Sequence, residues 1–264
     1  MGRLAPTGIS EALRPAFRSS LRDWRLGGRL PILRQFDPKL ALEAARKWSL
    51  ASLFRRSPPA NASTSFRFLA RRIGNDLPAD NGRTIVLSSL VEGPSSGETA
   101  SMLAWYLRDE LACDVLMIDG GFRDGALSAH FGLRESPGLL DSIRSGSKFQ
   151  DHAKRIAEGI SLLPVGTGSS ETQNFDSALV AKLLKSAQEK WPYVVVLHGP
   201  VGSDTRFVAF GAMADLVLLL AEEGGTRLAE VEAANELYHQ NGIAGVQLLM
   251  TSAGSGPGDA PEEG

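Results

Sequence analysis

The sequence predicts an α/β domain, a doubly wound and mostly parallel sheet with helices on both faces, preceded by a basic helical arm. Three observations lead there. From residue 83 onward, short near-continuous apolar runs alternate with longer segments of helical periodicity, the order that βαβ units produce. The apolar runs are too uniformly hydrophobic for strands with one wet face, so both faces are expected to be covered. Charge is also divided along the chain: residues 1–72 hold 15 Lys and Arg against 4 Asp and Glu, whereas the remaining 192 hold 13 against 26.

The basic part contains two short helical candidates, Ile9 to Leu26 and Pro38 to Phe54. After them comes Arg55-Arg56-Ser57-Pro58-Pro59-Ala60-Asn61, whose prolines and small polar residues read as a linker. The boundary falls near residue 60 and gives three parts: arm and linker over 1–60, α/β domain over 61–251 and a flexible tail over 252–264. Within the domain the strand candidates are Thr84–Ser88, Val115–Ile118, Ile160–Leu163, Val194–Leu197, Leu216–Leu220 and Val246–Met250. Ala100, Leu103, Ala104, Leu107 and Leu111 share one face of a helix, and Leu228, Val231, Asn235 and Tyr238 share one face of another. Such sheets bind ligands beyond the carboxyl ends of their strands, so the loops after Leu87, Ile118 and Leu197 are where chemistry is expected.

Composition narrows the functional classes. With 264 residues, 43% hydrophobic and 22% charged, the chain can bury a sizeable core and is neither wholly disordered nor collagen-like. The single Cys113 cannot form an internal disulfide, and four scattered histidines do not make a structural zinc site. A reducing compartment and no bound metal are expected. The longest nearly apolar stretch, Val208 to Ala221, is 14 residues and contains Asp215, whereas a bilayer span takes about 20. The N-terminus lacks the apolar core of a secretory signal; its Arg-rich, acid-poor character is shared with some organelle transit peptides, a less favoured reading. The spread cations of the arm suit an anionic membrane, an acidic partner or the acidic domain behind it. Few aromatic residues are interleaved with them to stack on bases, so nucleic acid is a poor fit.

The loop after the first strand runs Ser88-Ser89-Leu90-Val91-Glu92-Gly93-Pro94-Ser95-Ser96-Gly97-Glu98-Thr99 into a helix. Strand, Gly-rich loop and helix in this order is the setting of a P-loop, where backbone N–H groups cradle phosphates, a lysine reaches the β/γ oxygens and a Ser/Thr hydroxyl holds Mg²⁺. The lysine is missing. Registered on Met102-Leu103-Ala104, the helix puts Ser96 in the lysine place and Gly97 in the hydroxyl place; read as Gly97-Glu98-Thr99, it puts an acid where the lysine should be. Gly93, Ser95, Ser96, Gly97, Glu98, Thr99 and, on the next strand, Asp119 thus form a candidate nucleotide site in degenerate form, weak or lost. Losing the lysine alone costs roughly 10- to 100-fold in affinity, since a charge-assisted hydrogen bond contributes about 1.5 to 3 kcal/mol. Gly93-Pro94-Ser95-Ser96-Gly97 also matches the Gly-x-Ser-x-Gly of a hydrolase nucleophile elbow, with His239 and Asp204 or Asp215 in the right chain order. An elbow turns sharply from strand to helix, however, and here five residues separate Leu87 from Gly93.

A longer pattern begins at the second strand: Val115-Leu116-Met117-Ile118-Asp119-Gly120-Gly121-Phe122-Arg123-Asp124-Gly125-Ala126-Leu127, then His130-Phe131-Gly132-Leu133, then Ser136-Pro137-Gly138-Leu139-Leu140-Asp141. It resembles, without gaps, the corresponding segments of the bacterial tyrosine-kinase family of capsule and exopolysaccharide synthesis, within the wider class of deviant P-loop partition and septum-site ATPases. Ile160 to Gly166, Tyr193 to Pro200, Gly202-Ser203-Asp204, Ala214-Asp215 and Gly225-Thr226 resemble further family pieces in order, so that the likeness covers roughly residues 63 to 251. The resemblance implies a P-loop NTPase-like fold and a cytoplasmic protein, peripheral at the inner face of the plasma membrane. It also implies a membrane polysaccharide co-polymerase as partner, with self-association as a further option.

Departures fall on the residues that do the family's chemistry. Gly121 replaces the second aspartate of the second-strand motif, and Leu197, with His198 beside it, replaces the aspartate that positions Mg²⁺. Thr64 to Arg71 resembles the oligomer-contact segment but keeps only Arg67 in register, and the tail Thr251 to Gly264 carries no tyrosine where active members carry a cluster. Asp119 reads equally as a capping aspartate and as a vestige of a metal site; Asp204 and Asp215 read better as turn and strand-end residues. The expectation is a non-catalytic regulator or scaffold of exopolysaccharide biosynthesis and export, with no catalytic residues and no cofactor. The alternative is an active kinase or ATPase of the same family with an unusual loop, for which ATP and Mg²⁺ would be the cofactors. A partition-type positioning protein anchored by the basic arm is a third reading.

Overall fold

The computed structural model describes residues 60–90, 95–121, 125–167, 177–202 and 206–252. The basic arm and its two helical candidates, Gly93, Asp204 and the tail beyond residue 252 lie outside the described residues. The elements run α1 (Ala60–Asp76), β1 (Arg83–Ser89), α2 (Ser95–Leu111), β2 (Val115–Asp119), α3 (Ala126–His130) and α4 (Leu139–Ser145). A 3₁₀ turn over Phe149–Asp151 leads to β3 (Lys154–Ala157), β4 (Ile160–Leu163), α5 (Ser177–Gln188), β5 (Tyr193–His198), α6 (Arg206–Gly211), β6 (Leu216–Glu223), α7 (Leu228–Gln240) and β7 (Val246–Ser252).

All seven strands form one sheet in the order β3-β4-β2-β5-β1-β6-β7. Every pairing is parallel except that of β3 with β4. The doubly wound, mostly parallel sheet expected from the alternation is therefore the observed architecture. The six predicted strands are all present. The additional β3 is a short antiparallel edge strand whose Lys154 and Arg155 are exposed, so it lacks the apolar signature that revealed the others. At the other edge β7 is only partly covered, with Met250 40% exposed, because no strand lies beyond it in the sheet.

Strand alternation divides the core into two layers. Ile85, Leu87, Met117, Val195, Leu197 and Leu218 face the helices α1, α2 and α3. Val86, Leu116, Ile118, Val194, Val196 and Val217 face α4, α5, α6 and α7. The α2 face predicted from Ala100, Leu103, Ala104 and Leu107 is buried as expected. On α7 the expected stripe holds at Val231 and Tyr238 and is corrected elsewhere: Leu228, the first residue of the helix, is 59% exposed, and Ala234 is buried where Asn235 was expected.

The two ends of the sheet are fixed differently. At the amino edge, Asp215 accepts the Thr84 backbone N–H at 2.8 Å and pairs with Arg83 at 2.9 Å, while its own N–H donates to the Thr84 carbonyl. Asp215 is thus a strand-end clamp between β1 and β6, as read from its sequence position. On the α1 side, Phe66, Ala70 and Ile73 insert into the core, Phe66 stacks on Tyr106 at a centroid distance of 6.0 Å, and Arg67 and Arg71 share the Glu110 carboxylate at 3.3 and 2.6 Å.

Because Phe66 is buried and Phe68, two residues on, is half exposed, the two substitutions to alanine should separate cleanly. Phe66→Ala should cost about 3 to 5 kcal/mol through lost burial and the cavity it leaves. Phe68→Ala should stay within about 0.5 kcal/mol. Urea denaturation, compared at constant m-value, checks both.

Candidate functional site

The carboxyl ends of β1, β2 and β5 meet the starts of α2 and α3 in a shallow cleft lined by Ser89, Ser96, Gly121, Ala126, Leu197 and His198 among others. This is the edge where the loops after Leu87, Ile118 and Leu197 were expected to converge, and all three contribute. Among the described residues no group of three or more His, Cys, Asp or Glu is placed to hold a metal ion. None of the helices among them is long and apolar enough to cross a membrane.

The helix after the first strand begins at Ser95, so Ser96, Gly97 and Glu98 lie in its first turn. Ser96 lines the cleft, which supports the register that gives it the lysine place. Ser88 to Thr99 contains no lysine or arginine. Gly97 faces backbone: a Cβ built there would stand 2.6 Å from the carbonyl oxygen of Ala126, 2.9 Å from its carbon and 3.2 Å from the Leu127 nitrogen. Thr99 turns its hydroxyl back to donate to the Ser95 carbonyl at 2.9 Å, a local bond within the helix.

Glu98 is the least expected of the group. It is 5% exposed, and burial pushes its carboxyl up to about 7. The sequence hid this because a glutamate in the first turn of a helix normally reads as a solvated residue favoured by the dipole. The only sign was the flanking run of Gly97, Thr99 and Ala100, too small to hold a core away from it.

Asp119 ends β2 fully buried and accepts two backbone N–H groups, Gly121 at 3.0 Å and Ser128 at 2.6 Å. Ser128 is the third residue of α3, so the carboxylate caps that helix across the intervening loop. The Ser128 hydroxyl in turn accepts the Val165 N–H at 2.9 Å and ties α3 to the segment after β4. Of the two readings left open for Asp119, the geometry displays the capping one. Leu197 sits opposite Asp119 in the sheet register, 2% exposed, and its carbonyl accepts the Gly120 N–H at 2.8 Å.

The Pro-Gly-Leu segment is also structural. Pro164 holds its carbonyl oxygen 2.1 Å from where a Gly138 Cβ would be, so only glycine lets α4 start there. Asp141 accepts the N–H groups of Gly138 and Thr167 and the Thr167 hydroxyl, at 2.7 to 2.9 Å. Burial opposes ionisation of this carboxyl, but those hydrogen bonds and nearby Arg144 outweigh it and hold the group below its usual range. The hydrolase elbow is not assembled: Asp215 clamps the opposite edge of the sheet and His239 is exposed near the end of α7. Ser89, Ala126 and His198 line the cleft without having been singled out as site residues; their place follows from register and helix start, which single residues do not advertise.

Seven strands, helices on both faces and a strand-loop-helix at the carboxyl edge define a P-loop NTPase-like α/β domain. No family model matches the chain. It is 26% identical over 184 residues to the protein named as tyrosine-protein kinase EpsB of Ralstonia solanacearum, a match covering 67% of this chain. The match covers 23% of that protein, so the chain spans about a quarter of the relative's length. Among solved structures, the kinase domain of the Escherichia coli tyrosine kinase ETK superposes with a TM-score of 0.66 at 18% identity, covering 77% of this chain and 80% of that one. The BceF tyrosine kinase domain gives 0.64 at 22% identity, covering 83% and 90%. The solved structures carry the fold and the curated relative carries the sequence likeness: the resemblance to bacterial tyrosine kinases holds at both levels.

The Glu98 carboxyl makes a pH prediction. A folded-state value near 7 against about 4.5 for the ordinary group means that its protonated form favours folding. This contribution is complete below about 4.5 and is lost as the pH rises through about 7. Glu98→Gln should therefore melt roughly a few degrees above the parent at pH 8 and coincide with it at pH 5. Thermal unfolding at the two pH values is the measurement, and parallel profiles would contradict the assignment.

Proposed function

We propose that this chain is a non-catalytic regulator or scaffold of exopolysaccharide biosynthesis and export, built on a P-loop fold and acting with a membrane polysaccharide co-polymerase. The observation that carries the reading is the set of side chains at the cleft. Ser96 stands in the lysine place, Gly97 in the hydroxyl place and Leu197 where a metal-positioning carboxylate would be. Phosphoryl transfer depends on positioned cations and Mg²⁺, and these three residues supply neither a cation nor a carboxylate. The retained Asp119 has both carboxylate oxygens engaged with backbone N–H groups, which supports a structural use for it.

The exopolysaccharide setting is inferred from the likeness to the EpsB protein and from the motif resemblance. The basic residues before the domain supply a means of recruitment: cations spread over residues 1–60 suit an acidic partner surface or an anionic leaflet at the inner face of the membrane. Such attraction weakens with salt, because exposed charges are screened beyond about 10 Å at 0.1 M.

Titration calorimetry with millimolar Mg-ATP should detect no binding in the micromolar range. A low-micromolar dissociation constant, or measurable hydrolysis abolished by Asp119→Asn, would sink the non-catalytic reading. In cells, deleting the gene should reduce exopolysaccharide without changing tyrosine phosphorylation, and normal polysaccharide in the deletion would refute the pathway assignment.

A further inference from the structure

The closeness of α3 to the first turn of α2 bears on whether the degenerate loop could be repaired. In a P-loop the residue at the place of Gly97 carries the hydroxyl that meets the metal. Here that direction is occupied by the Ala126–Leu127 backbone, with the carbonyl oxygen 2.6 Å from an added Cβ. Real Cβ atoms do not approach backbone so closely, and backbone cannot swing aside as the end of a side chain can. The start of α3 is itself held from several sides. Gly125 takes a left-handed conformation (φ +55°) and donates its N–H to the Gly121 carbonyl at 2.7 Å. Asp119 holds the Ser128 N–H at 2.6 Å, and the Ser128 hydroxyl holds the Val165 N–H at 2.9 Å.

We infer that Gly97 and Asp119 form a lock between α2 and α3 that closes the metal-facing position of the loop, so that restoring the missing side chains does not restore Mg-ATP binding. This rests on the non-catalytic reading and deepens it: the loss lies in the backbone packing as well as in the side chains. For α3 to retreat far enough to admit a hydroxyl at position 97, the Asp119 to Ser128 bond would have to break, and that bond is buried. The residue types present therefore do not fit a nucleotide with its metal, and neither does the space.

The test uses the full chain. Gly→Ala in a helix ordinarily raises stability, so a loss is diagnostic. Gly97→Ala should lower the melting midpoint by roughly 5 °C or more. The control Gly74→Ala in α1, whose new Cβ would meet only the flexible end of the Leu111 side chain, should be tolerated. A Gly97→Ala protein melting at or above the parent overturns the inference. In titrations with Mg-ATP, S96K/G97T/L197D should bind no more tightly than S96K/L197D, and a tenfold gain in the triple variant overturns it too. Should the Gly97 variants fail to fold, hydrogen exchange on Asp119→Ala decides: with no acceptor left, the Ser128 amide should exchange at least tenfold faster than in the parent, and unchanged protection counts against the lock. Tight Mg-ATP binding by the unmodified chain would instead sink the non-catalytic reading, an outcome distinct from any of these.

Discussion

One buried carboxylate organises the carboxyl edge of this sheet. Asp119 accepts backbone N–H groups from the turn that follows its own strand and from the first turn of α3. A carboxylate removed from water is costly unless hydrogen bonds replace its solvation, and two charge-assisted bonds to backbone do so. Everything at the cleft is positioned from this point: the chain leaves β2, turns through Gly125 and lays α3 against α2. Ser128 then passes the constraint on to Val165 and the segment after β4.

The arrangement explains how a family-like pattern can persist without its chemistry. Gly138, Asp141 and Asp119 all match the motifs of bacterial tyrosine kinases, and each has a local structural task, respectively a close backbone approach and two helix caps. None of these tasks needs a nucleotide. The matched stretch can therefore keep its spacing for reasons of packing, and Gly97, pressed against the Ala126–Leu127 backbone, belongs to that packing.

Much of the fold was legible because parallel strands covered on both faces are apolar at every position, a signal that needs no context. The strand that escaped was at an edge, where β3 carries exposed Lys154 and Arg155. The cleft was legible as a place, from topology, but not as an inventory. Ala126 enters it through its carbonyl and Ser89 through strand register, and neither property belongs to a residue type. The burial of Glu98 was not legible because sequence shows a charge and not its surroundings, and a first-turn glutamate is usually wet.

The seam between α1 and α2 has a mechanical consequence. Residue 60, where the basic segment ends, is the first residue of a helix whose Phe66 and two arginines grip the far end of α2 at Tyr106 and Glu110. That helix runs 17 residues, about 25 Å, straight back to the cleft. A displacement of α1 is therefore handed through those contacts to a rod whose opposite tip is Ser96 and Gly97, so the seam and the carboxyl edge move as one piece.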